Sequence, residues 1–167
     1  RYISNNISNN ENLKMLIRHD NEIKNLQRVF NEMNKKQKIN TIFFDGQIFD
    51  AYALLLDIFE KAKKEIIIID NYAGKELLKI LSKINKRIII VSKNIDDILV
   101  KKYNEEYQNI EFKNIDIFHD RFLIIDRKLL YSFGALFKDL GKKCFAINEI
   151  ESNELIDSLI NKIISNI

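Results

Sequence analysis

The sequence predicts an α/β domain in which a mixed β-sheet is sandwiched by helices, preceded by an N-terminal helical stalk. Two continuous apolar runs of strand length, Glu65–Asp70 and Arg87–Val91, are typical of strands covered on both faces. Segments with helical apolar spacing separate such runs, and strands that alternate with helices indicate an α/β sheet. The chain has no proline and no long linker. We therefore expect two parts, a stalk at residues 1–38 and one domain at residues 39–167.

The stalk is predicted as a helix from Glu11 to Lys38, after an Asn- and Ser-rich start at residues 1–10 that we expect to be frayed. Apolar residues recur along it at heptad spacing, which is typical of a coiled coil. The alternative is a single amphipathic helix that packs on its own domain. The predicted oligomerisation positions are Leu16, Ile23, Leu26 and Phe30.

Apolar patterning in the globular part predicts strands and helices in alternation. The predicted strands are Thr41–Phe44, Glu65–Asp70, Arg87–Val91, Ile110–Asn114, His119–Ile125, Leu129–Phe133 and Cys144–Ile147. The predicted helices are Ile48–Lys64, Gly74–Ile84, Asn94–Tyr107 and Asn153–Ile164, with a turn or short helix at Lys138–Gly141. The single cysteine, Cys144, begins an apolar run and is expected to fill the core.

The segment from His119 to Asp126 is the candidate for chemistry. Its apolar centre, Phe122–Ile125, predicts a strand in the interior of the sheet. His119 and Arg121 lie two residues apart, so alternation along a strand would point both side chains to the same side. A potential nucleophile beside a fixed positive charge suits a phosphate ester, and Asp126 is expected to orient the imidazole. The alternative is a satisfied network of polar residues at the end of a strand.

Four segments together resemble a known family. The stretch His119–Asp126 is similar to the HxKxxxxD signature of the phospholipase D superfamily, with arginine in the lysine position. Phe44–Tyr52, Ile69–Tyr72 and Gly134–Lys143 extend the resemblance to the single-motif subfamily found at the C-terminus of phage-type ORF6N-domain proteins. The resemblance covers residues 40–150 and implies a phospholipase D/nuclease-like fold.

The resemblance also implies a function, a phosphodiesterase that needs no metal and uses a phosphohistidine intermediate. Carried over by position, His119 would be the nucleophile or the acid, Arg121 a phosphate clamp and Asp126 an orienter. Lys138 follows the motif and is expected to extend the phosphate-binding rim, with a solvated surface run as the alternative. Because the chain has one copy of the motif, an active site would be shared across a homodimer.

Two departures from the family pattern keep a second interpretation open. Arg121 presents a planar fork where the family has a compact ammonium group, and Ala135 follows Gly134 where the family has serine. The domain would then be a catalytically degenerate module for dimerisation and DNA-backbone binding in a phage-derived regulator.

Composition indicates which partners, metals and cellular locations to expect. A net charge of +3 permits nucleic acid as a partner without demanding it. One cysteine and two histidines, without the close Cys and His spacing of a zinc site, predict no metal and no cofactor and suggest a reducing cytoplasm. No apolar run approaches the about 20 residues of a membrane span. The first residue is Arg1, so we expect a fragment or a processed product.

Overall fold

The structure is a computed structural model that describes residues 2–35 and 38–166. The chain divides into two units, residues 1–38 and residues 39–167. The first unit contains helix α1, Tyr2–Lys35. The expectation of a frayed start is wrong for residues 2–10, which are helical. Once a helix has formed, each added residue gains a hydrogen bond, and this outweighs the modest helix propensity of Asn and Ser.

Helix α1 exposes apolar side chains over residues 9–29, the part of the helix whose side chains are described. The exposed fractions of Leu16, Ile23 and Leu26 are 65%, 54% and 69%. Ion pairs one turn apart, Arg18–Glu22 and Asp20–Lys24, support the helix along its charged positions. The side chain of Phe30 lies outside the described residues. An apolar stripe of this kind is the feature that a paired helix would bury.

The second unit is built on one mixed sheet of seven strands. In chain order these are β1 Asn40–Phe43, β2 Glu65–Ile69, β3 Arg87–Ser92, β4 Ile110–Asn114, β5 Arg121–Ile125, β6 Leu129–Phe133 and β7 Phe145–Ile150. Their order across the sheet is β1-β7-β6-β5-β2-β3-β4. The pairs β2/β3 and β3/β4 are parallel, and the other neighbours are antiparallel. The predicted mixed α/β sheet is confirmed.

Helices cover both faces of this sheet. They are α2 Ile48–Glu60, α3 Lys75–Leu81, α4 Asp97–Glu106 and α5 Asn153–Ile164, with a short 3₁₀ turn at Phe137–Asp139. Ile66 and Ile68 of β2 pack in the core formed with α2, α3 and α4. Ile67 and Ile69 point to the other face and pack in the core that includes α5. Both faces of β2 are therefore buried, which explains its continuous apolar run.

Strand β5 lies in the interior of the sheet, between β6 and β2, as its apolar residues predicted. Leu123 and Ile125 pack on the α2 and α3 side, whereas Phe122 and Ile124 pack on the α5 side. The strand begins at Arg121 rather than at His119. His119 and Asp120 form a bend before it.

Cys144 does not fill the core, and that expectation is wrong. Its side chain is exposed, and β7 begins one residue later. Phe145 takes the core position instead, where its ring stacks on Phe43 with centroids 5.2 Å apart. The apolar run was identified correctly, but its first residue lies beyond the edge of the buried layer.

Candidate active site

One edge of the sheet holds Arg121, the cation of the motif, with His119 just before it. The carboxyl ends of the parallel strands β2 and β3 meet there with the amino end of β5, which runs antiparallel to β2. Ile69 pairs with Phe122 in this register, so Asp70 and Arg121 follow as neighbours. Side-chain alternation places both on the face that carries Ile68 and Leu123. The carboxyl edge of parallel strands is a frequent place for ligand sites.

Arg121 brings a positive charge into this edge in a half-buried position. Its Nε atom is buried and has no hydrogen-bond partner within the described part of the chain. A buried N–H group that makes no hydrogen bond lowers the stability of the folded state. The hydrogen bond of Nε is therefore not made within the described residues, and a carboxylate or phosphate oxygen is the kind of acceptor that a guanidinium favours.

Asp70 is the fully buried carboxyl beside Arg121. It accepts hydrogen bonds from the backbone N–H groups of Tyr72, at 2.9 Å, and Phe137, at 3.1 Å. Burial raises the pKa of Asp70, and these two bonds and the charges of Arg121 and Lys138 offset only part of that rise. The carboxyl thus ties the end of β2 to the 3₁₀ turn and places a negative partner under the two cations.

His119 lies just outside β5, with an exposed side chain. Because residues 119 and 120 form a bend, strand alternation does not determine the direction of its imidazole. The residue before it is held in place, since the side-chain amide of Asn71 donates to the carbonyl of Phe118. His119 makes no hydrogen bond or ion pair among the residues described here, so its ring nitrogens are available to a ligand.

An exposed tyrosine, Tyr72, lies between two lysines at this edge. The Nζ atoms of Lys93 and Lys138 are 5.6 Å and 5.7 Å from the centroid of its ring. Lys93 follows β3, whereas Lys138 belongs to the 3₁₀ turn. Lys138 lies close to Asp70 as well as to Tyr72.

The loop from Gly134 to Lys143 closes a cavity over Arg121. The cavity has a volume of about 440 Å³ and is lined by Arg121, Gly134, Ala135, Leu136, Asp139, Lys142, Lys143 and Cys144. Gly141 fixes the loop against the start of α2. Its φ angle is +77°, and a Cβ atom there would approach the Cα of Ile48 to 2.4 Å. Only glycine fits this position.

A larger cavity, of about 620 Å³, lies next to this one but contains neither His119 nor Arg121. It is lined mainly by apolar side chains and lysine stems of α2, α3 and the 3₁₀ turn, among them Ile48, Ile80 and Leu140. Size alone would favour it. We place the candidate site at Arg121, because this cavity contains the cation of the motif and the larger one does not.

Asp126 lies at the opposite end of β5 from His119. Its carboxylate accepts hydrogen bonds from the backbone N–H groups of Lys63, Lys64 and Glu65, at 2.8, 2.8 and 2.9 Å. These bonds hold the segment between α2 and β2 in place. The apolar pattern of the sequence had predicted that the helix would continue to Lys64. The predicted orienting role is therefore replaced by a structural one, because a strand of five residues separates the two side chains.

Asp126→Asn should lower the free energy of unfolding by about 1 kcal/mol at pH 7, since a charged acceptor of three backbone bonds is lost. Burial alone would raise the pKa of Asp126, but the bonds from Lys63, Glu65 and Lys64 lower it overall. A lowered pKa means that this stabilisation is present above the unfolded value of 3.8 and is lost as the pH falls.

Urea unfolding at pH 7 and pH 3 measures the effect of Asp126→Asn, and the difference from wild type should shrink at pH 3. Asparagine also tolerates the φ angle of +51° at this position, so backbone strain does not confuse the comparison. A loss of phosphodiesterase activity at unchanged stability would contradict the structural role and support the orienting role.

The structure brings Arg121 and Lys138 together over Asp70 and leaves Asp126 at the far end of the strand. Sequence reasoning assigned no role to Asp70, Tyr72 or Lys93. Asp70 and Tyr72 could have been found in the segment Ile69–Tyr72, where an apolar run ends in an acidic residue at the carboxyl edge of a strand. The contribution of Lys93 depends on a contact between elements that patterning along the chain does not contain.

Among the described residues, no group of three or more His, Cys, Asp and Glu side chains is arranged to hold a metal ion. A membrane-spanning helix, which requires both length and apolar character, is likewise not found among the described helices.

Comparisons with known proteins match the fold. No model of a protein family matches the sequence, and no curated protein does. Nuc from Salmonella typhimurium, a phospholipase D family member, is 17% identical over 78% of this chain and 94% of its own, with a TM-score of 0.58. NucT from Helicobacter pylori is 15% identical over 78% of this chain and 96% of its own, with a TM-score of 0.55.

A third solved structure, the phosphatidylserine synthase of Haemophilus influenzae Rd KW20, is 9% identical, with a TM-score of 0.51. The match covers 76% of this chain but only 37% of the synthase. At such identities the similarity establishes a shared fold. The chain has the α/β fold of the phospholipase D family member Nuc.

Proposed function

We propose that the globular domain is a nuclease-like phosphodiesterase that acts on nucleic-acid phosphodiesters through His119 and Arg121. The observation that carries the proposal is the buried Nε of Arg121, unpaired among the described residues and two positions from an exposed histidine. The fold shared with Nuc supports the same function, as does the HxRxxxxD spacing, which resembles the superfamily signature.

The chemistry needs two histidines and a cationic clamp. A ring nitrogen of His119 attacks phosphorus, so that a P–N bond forms and the P–O bond to the leaving group breaks. The leaving oxygen takes a proton from a second, protonated histidine. Water then attacks the phosphohistidine and gives its proton to that second histidine, which restores both groups. Arg121 binds the non-bridging oxygens and stabilises the charge that develops on them.

The second histidine would come from a second copy of the chain. The globular domain contains one histidine, and the other, His19, belongs to the stalk. A two-fold axis that brings two copies of His119 together would complete the site. The exposed stripe of Leu16, Ile23 and Leu26 on α1 supports pairing of the stalks, with Phe30 as the predicted next position.

The four motif segments further support a place in the single-motif subfamily of phage-type ORF6N-domain proteins. A cytoplasmic location accords with the single, unpaired cysteine.

Cleavage of labelled single- and double-stranded DNA in the presence of EDTA tests the proposed function. We expect hydrolysis to proceed, because His119 and Arg121 supply the nucleophile and the charge. Activity that appears only when a divalent metal is added would contradict this mechanism.

Light scattering should show a dimer at micromolar concentration. Leu16→Glu together with Leu26→Glu should weaken that dimer if the stalks pair, and a dimer that persists would assign the interface to the globular domain.

The second candidate is a binding module without turnover. Ala135 lines the cavity at Arg121, and its methyl group cannot supply the hydroxyl that serine provides in the family pattern. In that case the wild-type chain would not cleave DNA but would bind it in a salt-sensitive manner. Arg121→Ala would weaken the binding.

A further inference from the structure

Tyr72 is a surface aromatic residue with a fixed backbone. Its side chain is 45% exposed, although its own N–H donates to the buried carboxyl of Asp70. The preceding residue, Asn71, is held by its bond to the carbonyl of Phe118, next to His119. Both anchors belong to the candidate site, so the ring stands at the rim of that site on a rigid support.

Two ammonium groups converge on this ring from different elements. Lys93 comes from the end of β3 and Lys138 from the 3₁₀ turn, each with its Nζ within 6 Å of the ring centroid. Asp116 lies 3.9 Å from Lys93, at the limit of an ion pair and largely exposed. The rim thus combines an aromatic ring that is 45% exposed with two cations, of which Lys93 faces the exposed carboxylate of Asp116 and Lys138 lies near the buried carboxyl of Asp70.

Few ligands match both features at once. A nucleic-acid strand carries a flat base and a phosphate in every nucleotide. Stacking on an aromatic side chain requires that a face of the base be free, as it is in a single strand and is not inside a duplex. An ammonium group can leave the ring of Tyr72 for a phosphate oxygen within the reach of its own flexible stem.

We propose that Tyr72 is the stacking platform for an unpaired base beside the scissile phosphate, and that Lys93 and Lys138 bind the flanking phosphates. The substrate class is then single-stranded nucleic acid. This inference rests on the proposed function and makes it more specific.

Binding of a fluorescent single-stranded oligodeoxynucleotide tests the platform, with the 167-residue chain carrying His119→Ala to prevent turnover. Tyr72→Ala should weaken binding about tenfold, the loss expected for one stacked base. Tyr72→Phe keeps the ring and should bind as the parent does. Tyr107→Ala is the matched control, because Tyr107 is 42% exposed at the end of α4 and its ring packs on Tyr103, whereas Lys93 and Lys138 contact Tyr72. It should leave binding unchanged.

The contributions of stacking and of charge to the affinity can be separated with an oligonucleotide whose central nucleotides lack bases. Such a strand keeps its phosphates but cannot stack on Tyr72. The parent should bind it about tenfold more weakly than the normal strand, and Tyr72→Ala should bind both equally. Lys93→Ala should preserve the difference between the strands but reduce the slope of log affinity against log salt by about 0.7, the contribution of one phosphate. A ring with a purely structural role would not produce this dependence on the bases.

Equal binding of the normal and the abasic strand by the parent would overturn the platform. So would unchanged affinity of Tyr72→Ala, or a duplex bound as tightly as the single strand. If hydrolysis that requires His119 and Arg121 continues unchanged in Tyr72→Ala, the proposed function stands and only the platform fails. If no variant binds or cleaves nucleic acid, both fail.

Discussion

His119→Ala should abolish phosphodiester hydrolysis, with a loss of about a thousandfold or more, because neither the nucleophile nor the proton donor would remain. The imidazole is exposed and has no partner among the described residues, so the free energy of unfolding should change by less than about 0.5 kcal/mol. Hydrolysis of a labelled DNA strand, followed beside urea unfolding, measures both quantities. Lost activity with lost stability would instead indicate a structural histidine.

The chain offers a matched control in its only other histidine, His19, which is exposed on α1. His19→Ala should leave turnover unchanged. A second result should follow from the shared site. When wild-type and His119→Ala chains exchange freely at equal concentration, only about a quarter of the dimers contain two intact copies. Activity should then fall to about a quarter of that of an all-wild-type sample of the same total concentration, whereas a fall to about half would show that each chain works alone.

The fold could be predicted from sequence because the buried strands carry long apolar runs. Strands β2 and β3 lie close to their predicted positions, and α5 spans Asn153–Ile164 as predicted. In each of these elements the residues that are buried are mainly the apolar ones of the sequence. The ends of the helices and strands were predicted less accurately, because they depend on capping residues and on contacts with distant parts of the chain. Helix α2 was predicted to reach Lys64, but the backbone N–H groups of residues 63–65 donate to Asp126 instead, and α2 ends at Glu60.

The candidate site was predicted only in part, because a motif lists residues along the chain and a site joins them across it. Spacing identified His119 and Arg121 at one end of a strand. The same motif places Asp126 at the other end of β5, where its carboxylate cannot reach the imidazole of His119. Asp70 and Tyr72 were visible in the sequence, but their roles depend on the antiparallel register of β2 and β5.

Arg121→Ala should lower hydrolysis about a hundredfold or more, since a positively charged donor to the phosphate oxygens is removed. Arg121→Lys should retain activity within about tenfold, because it restores the charge and the residue of the family pattern. A comparable loss in both variants, with folding intact, would mean that the planar fork of arginine is used. Measured kcat/KM values, with urea unfolding as the check on folding, distinguish the two outcomes.

Arg121→Ala should also destabilise the domain at neutral pH by about 2 kcal/mol, because the buried carboxylate of Asp70 loses a neighbouring charge. Asp70 has a raised pKa in the folded state, so its favourable contribution is present below the unfolded value of 3.8 and is lost as the pH rises. The destabilisation by Arg121→Ala should therefore be smallest near pH 3.5 and grow toward pH 7. Adding Asp70→Asn should remove this pH dependence, since no carboxylate then remains to be neutralised. A destabilisation that is equal at both pH values would show that Arg121 acts through packing rather than through Asp70.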